Sequence, residues 1–305
     1  MNQFIKSGVE PVFCRLRPKD VIGVAAPSAR FDAQAFQKGV LCLESMGFEV
    51  HIPNGITGRH RYLAGTDRQR ADVLNSLFSD PGIKGIIAAR GGFGAMRLLP
   101  LLDWDAIAEN PKLFMGFSDP TALISSLVCK AGICALHGPN LVSLGRADKK
   151  TLDSFVKTVT GRFTRIDLPF DQVVVGGCAT GRLVGGNLAT LTHMIGTAYQ
   201  PDFTGSILFM EDVGEPAYKI DRMLTQMKMA GVLEGVQGVV TGAFDGCDNK
   251  AYIPQIIQEV FFDANIPICM GIDVGHGAVN LSLPMGGRVI LDADRACLEW
   301  DFVVK

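Results

Sequence analysis

No stretch of this chain approaches the roughly 20 consecutive apolar residues that a membrane-spanning helix needs. The start, MNQFIKSGVEPVFCRLRPKD, lacks the long apolar segment of a secretory leader. Basic residues are scattered and the formal net charge is −2, so the electrostatic footprint of a nucleic-acid binder is missing. None of the eight cysteines forms a CxxC pair, and most sit in apolar runs. They read as small core residues rather than disulfides or metal ligands. HExxH is absent, and no His/Cys/Asp cluster has zinc spacing. GxSxG is absent too, and neither GGFG nor VGGN extends to a dinucleotide or Walker loop. These absences leave a soluble protein, expected in the cytoplasm, with no membrane or nucleic-acid partner and no metal or other cofactor.

What the chain does have is glycine, 35 of them, gathered in short motifs rather than in a low-complexity tract. Such clusters suit tight turns and close backbone approach. With 305 residues, 48% hydrophobic and 20% charged, the composition is that of an ordinary globular protein. The length favours two domains, placed here at 1–165 and 166–305.

In the first half, apolar strands alternate with helical patterns. Strands are expected at 20–26, 48–53, 82–89, 112–117 and 133–138, and helices at 32–46, 66–79, 94–101, 120–131 and near 148–159. This order, with strands apolar throughout, predicts an α/β fold whose parallel sheet is covered on both faces. The second half continues with strands at 205–211, 238–244 and 267–273, helices at 218–230 and 253–263, and alternating terminal strands near 287–304. It reads as a second α/β domain with some antiparallel sheet.

Three first-half strands end in turns that suit a site. Arg90-Gly91-Gly92-Phe93-Gly94 follows the third, Ser118-Asp119 the fourth, and His137-Gly138-Pro139-Asn140 the fifth. In a parallel sheet all three fall on the carboxyl edge, where ligands bind. Asp119 as N-cap with Pro120 at the first helical position would start a helix without any help from Ser118. Ser118 is then left on a sharp strand-to-helix corner, as in a nucleophile elbow, although Pro120 stands where that elbow has glycine. A serine nucleophile needs a base, and the base needs an orienting acid. His137 and His276 both stand beside glycine at strand ends, and spacing alone does not choose between them. Glu211 is the first charge after the strand GSILFM, where the sheet edge would position and partly desolvate it.

VAAPSA (24–29), ARGGFGAMRLL (89–99), MGFSD (115–119), LHGP (136–139), GRLVGGNLATL (181–191), EDVGEPAYKIDRML (211–224) and GIDVGHG (271–277) together resemble the LD-carboxypeptidase family of serine peptidases. The stretches follow the family's order across nearly the whole chain. The resemblance implies an N-terminal Rossmann-like domain and a C-terminal swivelling, barrel-like α/β domain, with the active site between them. It implies a triad of Ser118, Glu211 and His276, and so chooses His276 over His137 as the base. The implied reaction releases the terminal D-alanine of a muropeptide tetrapeptide. Gly92 and Asp119 are expected to supply backbone N–H groups to the oxyanion, and Ser28 and Arg90 to meet the substrate carboxylate. The partner is thus a small peptide substrate, and the family suggests a homodimer. Rival readings are a self-immunity peptidase acting on a peptide–nucleotide antibiotic, another serine hydrolase such as an esterase, and a non-enzymatic ligand-binding α/β protein.

Overall fold

The computed structural model describes residues 11–301. Part of the leader expectation and the end of the strand region expected up to 304 lie outside them. The first half builds a parallel sheet from β1 (Val21–Ala25), β2 (Glu49–His51), β3 (Ile83–Ala88), β4 (Leu113–Gly116) and β5 (Ala135–His137), in the spatial order β5-β4-β3-β1-β2. Every strand but β2 is buried almost throughout, as a sheet covered on both faces requires.

The covering helices start where their caps dictate. Asp32 accepts the Ala35 N–H ahead of α1 (Ala33–Ser45), which buries Phe36, Gly39, Val40 and Leu43 as one stripe at helical spacing. A capping box between Thr66 and Gln69 opens α2 (Asp67–Ser79). Next come α3 (Trp104–Glu109), α4 (Thr121–Ser126), α5 (Leu141–Leu144) and α6 (Lys149–Val159). Phe36, Leu43, Leu141 and Phe155 join one core on one sheet face, and Leu74, Leu77, Ile107 and Ile124 another on the opposite face.

Two helices differ from expectation. The segment 94–101 is a 3-10 helix, Ala95–Leu101, with Pro100 inside it. The segment 120–131 is α4 followed by a π turn over Leu127–Ala131, which ends at the left-handed Gly132.

The second half contributes β6 (Arg165–Asp167), β7 (Val173–Val175), β8 (Cys178–Asn187), β9 (Ser206–Val213), β10 (Gly238–Asp245), β11 (Ile268–Cys269), β12 (Leu283–Met285), β13 (Arg288–Asp292) and β14 (Cys297–Trp300). Eight of these form a sheet ordered β6-β14-β13-β8-β9-β10-β11-β7, parallel from β8 to β11 and antiparallel towards both edges. β11 is shorter than the expected 267–273 because the chain turns away at Gly271, which has φ +71°. The ninth strand, β12, crosses to the first sheet and pairs antiparallel with β5. One face of the second sheet is covered by α7 (Leu188–Met194), α8 (Ala217–Met229) and α9 (Ile253–Val260), through Leu191, Ile220, Leu224 and Ile257. On its other face Leu183, Ile207, Phe209 and Val240 share a core with Ile124, Leu127 and Val128 of the first half. Among the described residues no helix is long and apolar enough to cross a membrane.

The chain leaves β1 on one side for β2 and returns on the other for β3. The loops after β1 and β3 therefore open at a topological switch point, where α/β sheets bind ligands.

Candidate active site

The corner at Ser118 is strained. Its φ is +68°, a left-handed conformation that costs a non-glycine residue about 1–2 kcal/mol. The surroundings hold it there. The Ser118 carbonyl accepts the Thr121 N–H at 2.9 Å, and the Gly116 carbonyl accepts the Gly138 N–H at 3.0 Å. Glycines on both sides make the room: a Cβ on Gly116 would stand 3.0 Å from that of Ala88, and one on Gly91 would stand 2.8 Å from the Ser118 Cβ. The loop after β3 is thus pressed against Ser118, and Gly92 is its next residue.

Asp119 does not cap α4 as expected; Pro120 occupies the cap position. The Asp119 carboxylate turns the other way, accepting the Ser28 hydroxyl at 2.5 Å and the Ala95 N–H at 2.8 Å. Burial raises its pKa above the ordinary carboxyl value, and the bonds from Ser28, Ala95 and Gly94 offset only part of that. Its side chain therefore ties the loops after β1 and β3 to the corner, while its backbone N–H follows directly on Ser118. Ser28 is fully buried, with its proton committed to Asp119, so its hydroxyl is not placed to meet a substrate carboxylate as expected. Arg90 is exposed and spends one donor on the Arg30 carbonyl at 3.1 Å.

The other half of the site comes from the second sheet. Glu211, on β9, is fully buried, and its Oε2 lies 2.6 Å from His276 Nδ1. Gly275 makes this contact possible. It sits at φ +104°, and a Cβ on it would lie 2.4 Å from Glu211 Oε2. Burial works against a charged His276, but the bond and charge of Glu211, with Asp212 and Asp245 behind it, win and hold the imidazole above its ordinary pKa. The two halves touch at the Phe117 ring, whose centroid is 4.9 Å from that of His276, and Ser118 follows Phe117 directly. A backbone-to-side-chain bond ties them as well: Asn187 N–H, at the end of β8, donates to Thr121 Oγ1 at 3.0 Å.

His137 lies fully buried between Phe117 and Phe209, with centroids at 6.2 and 5.0 Å. Burial pushes its pKa from 6.5 down to about 4, against the pull of Glu211. Below 6.5 the unfolded chain takes up this proton first, so stability from the neutral ring is complete above 6.5 and is lost as pH falls towards 4. The loss is on the order of 3 kcal/mol. His137→Gln is expected to remove it, which denaturant midpoints at neutral pH and near the lower value would check.

Sequence reasoning missed Asn187, Arg70 and Asp212. Asn187 caps α7 and donates to Asp212 at 3.0 Å, a role that the spacing Asn187-Leu188-Ala189-Thr190 signals. Arg70 is buried and donates to the carbonyls of Pro27 and Gly94, clamping the loops after β1 and β3. Nothing in its helical segment marks it out. VGGN runs inside β8, with Gly185 and Gly186 opposite Phe209 and Met210, which removes its reading as a phosphate loop. Among the described residues no group of three or more His, Cys, Asp or Glu side chains could hold a metal ion.

The LD-carboxypeptidase N-terminal domain model matches residues 22–138, and its C-terminal domain model matches residues 180–291. The chain belongs to the LD-carboxypeptidase family. Like other members of this peptidase family, it is a hydrolase. A relative from Synechocystis sp., named as a carboxypeptidase, is 39% identical over 98% of this chain and 100% of its own. The murein tetrapeptide carboxypeptidase of Pseudomonas aeruginosa is 32% identical over 92% of this chain and 94% of its own. Among solved structures, the muramoyltetrapeptide carboxypeptidase from Oxalobacter formigenes superposes with a TM-score of 0.84 at 31% identity, covering 93% of this chain and 100% of its own. MccF in complex with glutamyl sulfamoyl guanosine superposes with a TM-score of 0.87 at 27% identity, covering 97% and 100%. Both solved structures share this chain's fold, a parallel-sheet domain followed by a second sheet domain.

Proposed function

We propose that this LD-carboxypeptidase is a serine-type enzyme that cleaves the L,D amide bond between meso-diaminopimelate and the terminal D-alanine of a muropeptide tetrapeptide. The observation that carries this reading is the Glu211–His276 pair at 2.6 Å, whose imidazole packs 4.9 Å from the ring of Phe117, the residue before a serine held in left-handed backbone at the carboxyl end of β4. The nucleophile comes from residues 1–165, and the acid and base from 166–305.

Ser118 Oγ attacks the carbonyl carbon of the scissile bond as His276 Nε2 takes its proton. Glu211 Oε2 accepts a hydrogen bond from His276 Nδ1–H, which keeps its proton; this fixes the tautomer and stabilises the imidazolium as it forms. The backbone N–H groups of Gly92 and Asp119 receive the oxyanion, and donors of this kind are worth roughly 3–4 kcal/mol each. His276 then protonates the amine of D-alanine, which leaves. Water, deprotonated by the same imidazole, hydrolyses the acyl-serine and frees the tripeptide. Arg90 and the backbone N–H groups of the loop after β1 are the candidates for the terminal carboxylate of the substrate.

A second reading has its own support. MccF is as good a structural match as the carboxypeptidase, and its solved complex holds glutamyl sulfamoyl guanosine, an acidic amino acid joined to a nucleoside. Incubating the protein with a diaminopimelate tetrapeptide, its D,D-pentapeptide counterpart and a peptide–nucleotide amide separates the two. Release of D-alanine from the tetrapeptide alone is expected. Cleavage of the nucleotide conjugate alone would transfer the same catalytic groups to the other substrate class.

A further inference from the structure

The loop that carries His276 rests on α6, a helix of the first half that the proposed reaction does not use. Thr151, Ser154 and Thr158 lie three and then four residues apart, so their hydroxyls line one face of that helix. Thr151 Oγ1 accepts the Asn280 backbone N–H at 3.0 Å, and Ser154 Oγ accepts the Ser282 N–H at 3.1 Å. Thr158 Oγ1 stands 3.4 Å from the Ser282 carbonyl. An ion pair between Lys150 and Asp273 at 2.6 Å flanks the row, but both side chains are more than half exposed, so it adds little.

Asn280 carries the contact inward. It is buried, and its Oδ1 accepts the Gly275 N–H at 2.9 Å. Gly275 directly precedes His276 and packs against Glu211. A line of bonded groups therefore runs from Thr151 through Asn280 to Gly275 and ends on the Glu211–His276 pair. The segment it restrains includes Gly271, Gly275 and Gly277, which without such bonds would leave the imidazole many orientations.

We propose that Thr151 and Asn280 are positioning residues that set His276 against Glu211, so that a helix of the unit carrying the nucleophile also holds the base in place. This rests on the reading of Ser118, Glu211 and His276 as the reacting groups. The titratable groups facing His276 are Glu211 and Asp212 at the end of β9, Asp245 at the end of β10 and His137 at the end of β5. Thr151 bonds to Asn280 and to Asp148, which precedes α6, and to none of these four, so a change in His276 titration on altering Thr151 reports the His276 contact with Glu211.

Thr151→Val keeps the shape of the side chain and removes the acceptor, whereas Thr151→Ser keeps the acceptor. Two readouts apply: the His276 imidazole titration followed by NMR without substrate, and kcat and KM for D-alanine release. Thr151→Val is expected to lower the His276 pKa and cut kcat by about 10- to 100-fold. KM should stay within about twofold, because a transition-state contact is lost rather than substrate binding. Thr151→Ser should restore both readouts, and Asn280→Ala should match Thr151→Val with no added loss in the double variant. If the variants do not fold, amide exchange in the unaltered protein still decides, because the proposal requires strong protection of the Gly275 and Asn280 amides. A wild-type His276 titration in folded Thr151→Val, or rapid exchange at those amides, overturns it. Failure of the unaltered protein to release D-alanine, with the titration still shifted in Thr151→Val, would sink the assigned reaction and support the positioning pair.

Discussion

Ser118→Ala is expected to abolish D-alanine release, by about 10⁶-fold if the triad acts as a unit, with little change in fold. Ser118→Gly should be as inactive and yet more stable. Glycine takes φ +68° without the clash that a Cβ meets there, so about 1 kcal/mol of strain disappears. On the proposed mechanism, the strain is a cost carried for the placement of one hydroxyl. Denaturant unfolding of the two variants, with unchanged slope and a higher midpoint for Ser118→Gly, would check the stability half. Ser118→Ala that retains activity within tenfold of the parent would remove Ser118 as nucleophile, whatever the midpoints do.

The second large effect is expected from Gly275→Ala, a change of one methyl group outside the reacting atoms. That methyl would lie 2.4 Å from Glu211 Oε2 and 2.9 Å from its carboxyl carbon, on a backbone with φ +104°. Glu211 is fully buried and has no open side to retreat into, so the loop must move and the bond to His276 must lengthen. Loss of an orienting carboxylate costs serine hydrolases about 10⁴-fold in kcat, and a similar loss is expected here. The pH profile should move with it. As the proposed base, His276 must be neutral to act, and its pKa stands above 6.5 because of Glu211, so the acid limb of kcat/KM should shift to lower pH in the variant. Stability follows the same linkage. A raised histidine contributes stability that is fully present below 6.5 and lost as pH rises through its folded value, so Gly275→Ala should destabilise most on the acid side. Gly277→Ala is the control, because a Cβ there meets nothing closer than 3.5 Å. Equal losses at both glycines would mean that loop flexibility, not the Glu211 contact, is what matters.

The parallel strands of the first half were legible because each is a short apolar run closed by glycine or a polar turn, as at Arg90-Gly91-Gly92 and His137-Gly138. Ser118 and Glu211 stand out as candidates for the same reason, as the first polar side chains to end apolar runs, although Glu211 lies within β9 rather than beyond it. Between His137 and His276 the local pattern was silent. Both stand beside glycine, and the structure separates them by burial and by partner: His137 is sealed between two phenylalanines, while the His276 side chain keeps 18% of its surface open and meets Glu211 at 2.6 Å. Roles set by long-range partners were not legible at all. Asp119 looks like a helix cap in sequence, and it abandons that role because Ser28 and the Ala95 N–H, from two other loops, need its carboxylate. Thr151 looks like any first-turn residue of a helix until the segment around Asn280 arrives from 129 positions further along.

β12 also bears on how the chain is made. The first sheet is completed at β5 by residues 283–285, and Pro284 fits there because an outer strand can spare one N–H. On the ribosome, all five parallel strands emerge well before this last piece. During that interval β5 presents an unpaired edge of the kind that joins neighbouring chains. Nascent chains halted before residue 283 should therefore self-associate, whereas those released after it should not.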